Sequence, residues 1–255
     1  MRRGSSFDAG SHLSKRMRVI ADMVRPGSIP ADIGTDHGWL PVYLLQTGKC
    51  SRALAMDLRP GPLERAKSHV DEAGLSSKII LRLSDGMDEL KSGEADGLII
   101  SGMGGNVMRN IVSKGLSRGL LGIDKIRDAV FQPQSDMRGF FRYIVSNGFV
   151  IRKESIIFED GKYYFFAYSV FDPDEAKSGR MYGYLMAEEG HPLFREYLIR
   201  RERTVKKILS DIGMASDENS GAMARKEKFL SELLEIRKLM DIYNKEGDQN
   251  ECWEA

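Results

Sequence analysis

The sequence has little cysteine and no long apolar run. Its 255 residues include two cysteines, Cys50 and Cys252, which are too few and too far apart for a disulfide framework. No Cys/His cluster has metal-ligand spacing, so we predict no metal site. Because no stretch of about twenty apolar residues exists, we expect no transmembrane helix. The basic N-terminus lacks the apolar segment of a secretory signal, and we therefore expect a protein of the reducing cytoplasm.

Charge is also nearly balanced, with a formal net charge of +1. This balance neither requires nor excludes a polyanionic partner, so local clusters decide. Basic residues crowd the N-terminal region and a later helix-like segment: Arg2, Arg3, Lys15, Arg16, Arg18 and Arg25, then Arg200, Arg201, Arg203, Lys206 and Lys207. Each cluster fits a solvated helix face as well as a phosphate-binding surface.

Short apolar runs alternate with helix-like stretches through the first half of the chain. The runs are 31–33, 53–57, 79–83, 98–100 and 129–131, and the helix-like stretches are 13–24, 62–73 and 107–112. This alternation predicts an α/β fold with a parallel sheet and right-handed crossovers. Two further strand-like runs, 149–158 and 163–171, flank the turn Glu159-Asp160-Gly161-Lys162 and predict a terminal β-hairpin. A Rossmann-like sheet that ends in a hairpin is typical of class I methyltransferases, and dinucleotide-dependent dehydrogenases lack that ending.

The last part of the chain has almost no helix breakers. Two amphipathic stripes lie between residues 184 and 245, and the glycine-bearing segment 213–221 separates them. This pattern predicts an antiparallel, coiled-coil-like helical hairpin. We therefore predict a Rossmann-like domain with an N-terminal helix over residues 1–174 and a helical hairpin domain over residues 175–255.

The segment Ala31-Asp32-Ile33-Gly34-Thr35-Asp36-His37-Gly38 is the most informative motif. It follows a break at Pro26-Gly27 and Pro30, begins with the strand-like run 31–33, and precedes an apolar run that begins a helix; Asp57 stands at the end of the next strand. Strand, glycine-bearing turn, helix, strand and acid form the nucleoside site of Rossmann-like units, in which the acid binds the ribose hydroxyls. Two simpler interpretations stay open: Gly34 and Gly38 are ordinary turn residues, and Asp57 caps the helix that begins near Pro60.

Three later strand ends carry further candidate residues. Ser84-Asp85-Gly86 is placed to contact an adenine amino group, or Asp85 caps a helix. The glycines of Ser101-Gly102-Met103-Gly104-Gly105 let a base or the methionine part of a cofactor lie close to the backbone, or they permit a tight helix start. Gln132-Pro133-Gln134-Ser135 forms a pocket wall with the Gln132 amide free for a base edge, or a simple loop capped by Ser135. His37 acts as an acid or base, orients its loop or contacts the ligand.

Taken together, these motifs resemble one known family. They are 13–16, 31–38, 40–41, 56–57, 61–63, 82–86, 102–105, 132–133, 147–149 and 159–163, in that order. As a set they look like the TrmK family of bacterial S-adenosylmethionine-dependent tRNA (adenine-22-N1)-methyltransferases. The resemblance runs from Leu13 to about Tyr168 and includes the helical hairpin. It implies a class I methyltransferase domain, a coiled-coil-like domain, S-adenosylmethionine as cofactor and tRNA as partner.

The resemblance also implies roles for individual residues. Asp57 holds the ribose diol, and Asp85 and Gly86 flank the adenine. The implied cofactor-binding set is Asp32, Gly34, Thr35, His37, Gly38, Asp57, Asp85, Gly86 and Gly104, and the implied catalytic set is Asp36, Gly102 and Met103. The candidate substrate contacts are Arg16, Gln132, Arg200, Arg201 and Lys206.

Two departures from the general methyltransferase pattern bear on mechanism. Asp36 stands where the glycine-rich loop usually has its middle glycine, a feature that the resembled family shares, so we interpret it as a site residue. The string Asn-Pro-Pro-Tyr of amino-methylating enzymes is absent after the fourth strand, which fits attack by a ring nitrogen. Adenine N1 has a free lone pair, and Asp36 is placed to stabilise the cationic ring or to help remove a proton from the exocyclic amine. Because N1 lies on the pairing edge, the base must be unpaired or flipped out.

Three other interpretations fit the same residues. The fold could methylate another RNA or a small molecule, because fold does not fix substrate. It could serve a nucleotide-dependent oxidoreductase, against which the terminal hairpin argues. It could also belong to a non-catalytic RNA-binding protein. For the oligomeric state, we expect a monomer or a weak dimer.

Overall fold

A mixed seven-stranded sheet organises the first part of the chain. The computed structural model describes residues 8–177, 181–214 and 220–251. The strands are β1 (Pro30–Ile33), β2 (Ala53–Asp57), β3 (Ile79–Leu83), β4 (Gly97–Gly104), β5 (Asp128–Ser135), β6 (Phe149–Glu159) and β7 (Lys162–Phe171). Their order is β3-β2-β1-β4-β5-β7-β6, with β1 to β5 parallel and β7 antiparallel to β5. The predicted Rossmann-like sheet with its terminal hairpin is confirmed.

Nine α-helices occur in the described residues, and the last four follow the sheet in the chain. They are α1 (Lys15–Met23), α2 (Trp39–Gln46), α3 (Pro60–Glu72), α4 (Gly105–Ser117), α5 (Met137–Ser146), α6 (Pro173–Ala176), α7 (Tyr184–Glu188), α8 (Pro192–Met214) and α9 (Ser220–Glu251). Every residue of β1 and β2 is buried, as expected for central strands covered on both faces. The chain order of the strands reverses between β1 and β4, so the carboxyl ends of these strands flank a crevice suited to a ligand.

Aromatic packing fixes the β5 side of the core. The Phe131 ring of β5 meets the Phe140 ring of α5 edge-on at 5.2 Å between centroids and the Phe149 ring of β6 at 5.6 Å. All three rings are fully buried. Such edge-to-face contacts add to the area that the rings bury and hold α5 against the sheet.

The terminal hairpin closes with a two-residue turn. Asp160 and Gly161 have φ angles of 50° and 75°, the left-handed geometry that an Asp-Gly pair adopts readily between two strands. The contacts divide the described chain into a first unit of residues 8–157 and 164–182 and a second unit of residues 158–163 and 183–251. The hairpin tip therefore clusters with the helical unit. The domain boundary predicted at residue 174 stays a prediction.

In the second unit, α8 and α9 pack side by side. The Arg195 guanidinium lies 5.6 Å from the centroid of the Tyr243 ring, and farther along α8 the Arg201 guanidinium pairs with Glu232. The later residue of α8 contacts the earlier residue of α9, so the two helices are antiparallel, as predicted. Residues 215–219 of the predicted connection lie outside the described residues.

Candidate active site

A cavity of about 580 Å³ opens at the carboxyl ends of β1, β2, β3, β4 and β5. Its size is within the usual range of small-molecule sites. Twelve of the residues proposed from the sequence line it: Arg16, Asp32, Gly34, Thr35, Asp36, His37, Asp57, Asp85, Gly86, Gly102, Met103 and Gln132. All but Arg16, which lies on α1, come together because parallel strands present their carboxyl ends at the same edge of the sheet.

Three residues of the loop after β1 have a left-handed backbone conformation. Gly34, Asp36 and Gly38 have φ angles of 77°, 52° and 69°. A Cβ on Gly34 would lie 2.3 Å from the Met103 Cε atom, and a Cβ on Gly38 would lie 3.0 Å from the Ala66 Cβ atom. Gly34 therefore serves both a turn and a close approach beside the cavity. Gly38 does not line the cavity; it precedes α2 and lets that loop pack on α3.

Asp57 is a buried acid in the cavity wall. Its Oδ2 atom accepts a hydrogen bond from the Asp36 N–H at 3.2 Å, and its Oδ1 atom accepts one from the Arg59 N–H at 3.0 Å. Helix α3 begins at Pro60 with no side-chain cap. The capping alternative for Asp57 is thus wrong, and the carboxylate links the loop after β1 to the end of β2.

Asp36 combines a strained backbone with an accessible carboxylate. It is a non-glycine residue at positive φ, which costs of the order of 1 kcal/mol. Its side chain is 55% exposed, with Oδ1 3.3 Å from Arg65 Nη2 and Oδ2 3.5 Å from His37 Nε2. Glycine would fit this backbone with less strain. The local strain therefore points to a use for the side chain at the cavity.

Asp32 is buried beneath the same loop. Burial raises its pKa from 3.8 to about 7, the Asp57 carboxylate adds to the rise, and the neighbouring Thr35 side chain opposes it. The carboxyl group is therefore poised to ionise when a cation enters the cavity.

The residues that follow β3 shape the cavity through their backbone more than through a charged side chain. The Asp85 carboxylate pairs with Lys114 Nζ at 3.0 Å and is largely exposed. Residues 85–89 form turns and no helix lies between β3 and β4 in the described chain, so the alternative that Asp85 caps a helix is wrong; the Ser84 hydroxyl accepts from the Glu89 N–H at 3.1 Å and closes the turn. Gly86 has a φ of 59°, and a Cβ there would lie 2.9 Å from Ile111. The missing side chain thus lets the backbone pack against a residue that lines the cavity.

The ends of β4 and β5 are tied together by an amide. Gln132 is 2% exposed; its Oε1 atom accepts from the Gly102 N–H at 3.1 Å, and its Nε2 atom donates to the Pro133 carbonyl at 3.1 Å. Both ends of the amide are engaged, so the expectation that it is free for a base edge is wrong. Its position supports Gly102. Gly104 lies outside the cavity lining and precedes α4, and a Cβ there would lie 2.9 Å from Ser135 Oγ. The tight helix start therefore applies to Gly104.

The basic residues of α8 differ in what they contact. Arg201 pairs with Glu232 of α9 through two contacts, 2.6 Å and 3.1 Å, and the Glu232 side chain is 4% exposed. This buried pair holds the two helices together, so Arg201 has a structural partner that a phosphate would have to displace. Arg200 pairs with Glu196 at 2.8 Å, and Lys206 with Glu202 at 2.7 Å.

Two other cations of that helix are exposed and have no ion pair within the described residues. They are Arg203 and Lys207, three and seven positions after Arg200, which places all three on one face of α8. Arg16 belongs to the first unit, where it lines the cavity and its guanidinium stacks over the Tyr164 ring at 4.5 Å. The predicted basic residues Arg2 and Arg3 lie outside the described part of the chain.

Several lining residues escaped the sequence analysis. They include Met17, Trp39, Leu58, Arg59 and Val107, whereas Gln134 belongs to the string that was predicted to form a pocket wall. Leu58 and Arg59 directly follow Asp57, so their place beside an acid at a strand end was a usable signal. Trp39 is stacked against His12 at 4.3 Å and His69 at 3.7 Å, which no local pattern indicates.

Within residues 8–177, 181–214 and 220–251, the structure contains no group of three or more His, Cys, Asp or Glu side chains placed to hold a metal ion. The same residues form no helix both long and apolar enough to cross a membrane.

Comparison with known proteins agrees with this geometry. Residues 13–166 match the family described as a methyltransferase domain. The tRNA (adenine(22)-N(1))-methyltransferase of Bacillus subtilis is 30% identical over 233 residues, 89% of this chain and 95% of that protein. The crystal structure of B. subtilis m1A22 tRNA methyltransferase TrmK aligns with a TM-score of 0.78 and 26% identity, over 89% of this chain and 98% of that one. M. capricolum TrmK in complex with S-adenosyl-homocysteine aligns with a TM-score of 0.72 and 25% identity, over 91% and 99%.

Proposed function

The chain belongs to the TrmK family of tRNA (adenine(22)-N(1))-methyltransferases, and we propose on that basis that it transfers a methyl group from S-adenosylmethionine to N1 of adenine 22 in tRNA. The observation that carries the proposal is the meeting of Asp36, Asp57 and Gly102 at one cavity on the carboxyl edge of the sheet. The test is methyl transfer from labelled S-adenosylmethionine to tRNA transcripts, compared with ribosomal RNA fragments. We expect transfer to tRNA and none above background to the fragments.

The lining residues fit S-adenosylmethionine. The buried Asp57 carboxylate suits the ribose hydroxyls, because an acid at the end of the second strand takes this role in Rossmann-like sites. Gly34 leaves the backbone bare beside the cavity, and Asp32 offers a carboxyl group to the cofactor's ammonium. Leu58 and Ile111 supply apolar surface near Gly86, where an adenine ring would lie.

The protein's part in the chemistry is positioning and charge. The bound cofactor supplies an electrophilic methyl group. Adenine N1 carries a free lone pair, so no residue has to remove a proton before attack. The product ring is cationic, and the Asp36 carboxylate at the cavity mouth would stabilise that charge as it develops. Gly102 has no side chain at the end of β4, which leaves room for the base to approach.

Cofactor affinity should depend on pH through Asp32. Because its pKa in the folded protein is about 7, the group is mostly neutral near pH 6 and mostly ionised near pH 8. An ionised carboxylate binds the cationic cofactor better, so we expect its Kd to fall by roughly tenfold over that range, within the limit for one coupled proton. Titration of S-adenosylmethionine binding at several pH values measures this.

Asp32→Asn is the matched control for that titration. The Kd of S-adenosylmethionine for this variant should change little with pH. Since the folded-state pKa lies above 3.8, ionisation of Asp32 also lowers the free energy of unfolding as pH rises from about 4 to about 7 in the free protein. The variant should lose this component as well. An equal pH dependence of binding in the variant and the wild type would exclude Asp32 as the titrating group.

Arg203 and Lys207 are proposed phosphate contacts on α8. Both are exposed and lack an ion pair within the described chain, unlike Arg201 and Lys206. The double variant Arg203→Glu/Lys207→Glu should weaken tRNA binding by at least roughly tenfold and reduce the slope of log affinity against log salt by about two. Affinity for S-adenosylmethionine should not change. Fluorescence anisotropy with labelled tRNA at several salt concentrations measures both quantities.

A control of equal charge change is Arg52→Glu/Lys78→Glu. These two residues precede β2 and β3, so they lie at the amino edge of the sheet, opposite the cavity. If both double variants lose affinity and salt slope equally, the effect is one of net charge and α8 is not the contact surface. The monomeric or weakly dimeric state and the cytoplasmic location stay predictions.

A further inference from the structure

Methylation at N1 restricts how an adenine can be recognised. The attacked nitrogen has to face the methyl group, so the enzyme cannot read the base by a hydrogen bond to N1. Among the remaining polar atoms, the N6 amine, a donor, and N7, an acceptor, lie side by side on one edge of the base, and the donor at position 6 distinguishes adenine from guanine. A carboxamide that accepts from N6 and donates to N7 matches this pair in one plane.

Two of the described residues that line the cavity carry a carboxamide, Gln132 and Gln134. The Gln132 amide is engaged at both ends with Gly102 and Pro133. The Gln134 side chain is exposed and has no hydrogen bond to the described residues. Its Nε2 atom lies 3.7 Å from the point where a Cβ on Gly102 would stand, so the amide lies beside the bare backbone at the end of β4.

The backbone that carries Gln134 is held firmly. Asp136, two residues later, is left-handed with a φ of 45° and forms an ion pair with Arg109 of α4. A Cβ on Gly105 would lie 2.7 Å from the Ser135 carbonyl, and a Cβ on Gly139 would lie 2.6 Å from the Asp136 carboxylate. Two glycines and an ion pair thus hold the backbone next to Gln134, so ordering of this segment adds little to the side-chain entropy that is lost when the amide binds a base.

We propose that Gln134 selects adenine by accepting a hydrogen bond from N6 and donating one to N7. This deepens the function proposed above and rests on it. Guanine presents an acceptor, O6, where adenine has its N6 donor, so the amide oxygen would face a second acceptor. The neutral amide also suits the reaction, because its oxygen lies toward the amine of a ring that becomes cationic. N1 stays free to attack.

The test is a cycle of two enzymes and two substrates. Wild type and Gln134→Ala are assayed on tRNA with adenine 22 and on tRNA with 7-deazaadenine there, in which C–H replaces N7. Gln134→Ala should lower kcat/KM on the natural tRNA by roughly 10- to 100-fold. The N7 replacement should lower the wild-type value by roughly five- to tenfold, and it should cost the variant little more. The Kd of S-adenosylmethionine should be equal in both enzymes, because Gln134 is exposed and supports no neighbour.

Gln134→Glu gives a sharper signature. A carboxylate still accepts from N6, but it faces the N7 lone pair with negative charge, so this variant should prefer the 7-deaza substrate over the natural one. The assignment would be overturned if the effects of Gln134→Ala and of the N7 replacement on kcat/KM were independent and multiplied. An unchanged substrate preference in Gln134→Glu would overturn it as well. Methylation of the natural transcript by the wild type tests the proposed function separately, so the two failures are distinguishable.

Discussion

Asp36→Asn should lower kcat about 100-fold while changing the Kd of S-adenosylmethionine by no more than about threefold. Removing one group that stabilises developing charge commonly has an effect of this size. Asparagine adopts left-handed backbone angles readily and has nearly the same shape, so the loop with its φ of 52° should be preserved. The change therefore isolates the carboxylate charge. Single-turnover methylation and calorimetric titration of the cofactor measure the two quantities.

Asp36→Gly is the companion variant. Glycine relieves the strain at this position, so the thermal midpoint should stay equal or rise while kcat falls as far as in Asp36→Asn. Equal losses of turnover and cofactor affinity in Asp36→Asn would make Asp36 a binding residue. Unchanged turnover in both variants would exclude any role of the carboxylate in the chemistry.

The second large effect is expected at Asp57. Asp57→Ala should raise the Kd of S-adenosylmethionine by about 100-fold, because it removes charge-assisted hydrogen bonds to the ribose hydroxyls. It also leaves the Asp36 and Arg59 N–H groups without their acceptor. Equilibrium titration measures the Kd, and thermal unfolding reports any loss of stability.

Asp71→Ala is the matched control for Asp57→Ala. Asp71 is an exposed acid of α3 whose partners are Lys67 and Ser76. Its removal should leave both the Kd and kcat unchanged. If Asp57→Ala binds the cofactor as well as Asp71→Ala does, the proposed ribose contact is wrong.

Much of the fold and of the cavity could be predicted because parallel strands impose their own geometry. Asp32 lies within a short strand-like run, Asp57 ends one and Gly102 follows one, and the carboxyl ends of such runs meet at one edge of the sheet. The hairpin turn at Asp160-Gly161 could also be predicted from the sequence, since the Asp-Gly pair has a local conformational preference.

What sequence reasoning missed depends on pairs of side chains from distant segments. The Gln132 amide is engaged by Gly102, thirty residues away, and so is not free. Arg201 and Glu232 pair across two helices, thirty-one residues apart. The local hydrophobic periodicity does not indicate such partners, and a basic cluster has the same sequence pattern whether its cations are paired or free. Only the structure therefore distinguishes the paired Arg201 from the exposed Arg203 and Lys207.

The most direct test of the central claim is the position of the methyl group. An unmodified tRNA transcript is incubated with the full chain and labelled S-adenosylmethionine, digested, and the modified nucleoside is identified and mapped by mass spectrometry. We predict one N1-methyladenosine, at position 22, and no transfer when that adenine is replaced by guanine. A methyl group at another position or on another nucleoside, or no transfer at saturating cofactor, would contradict the account.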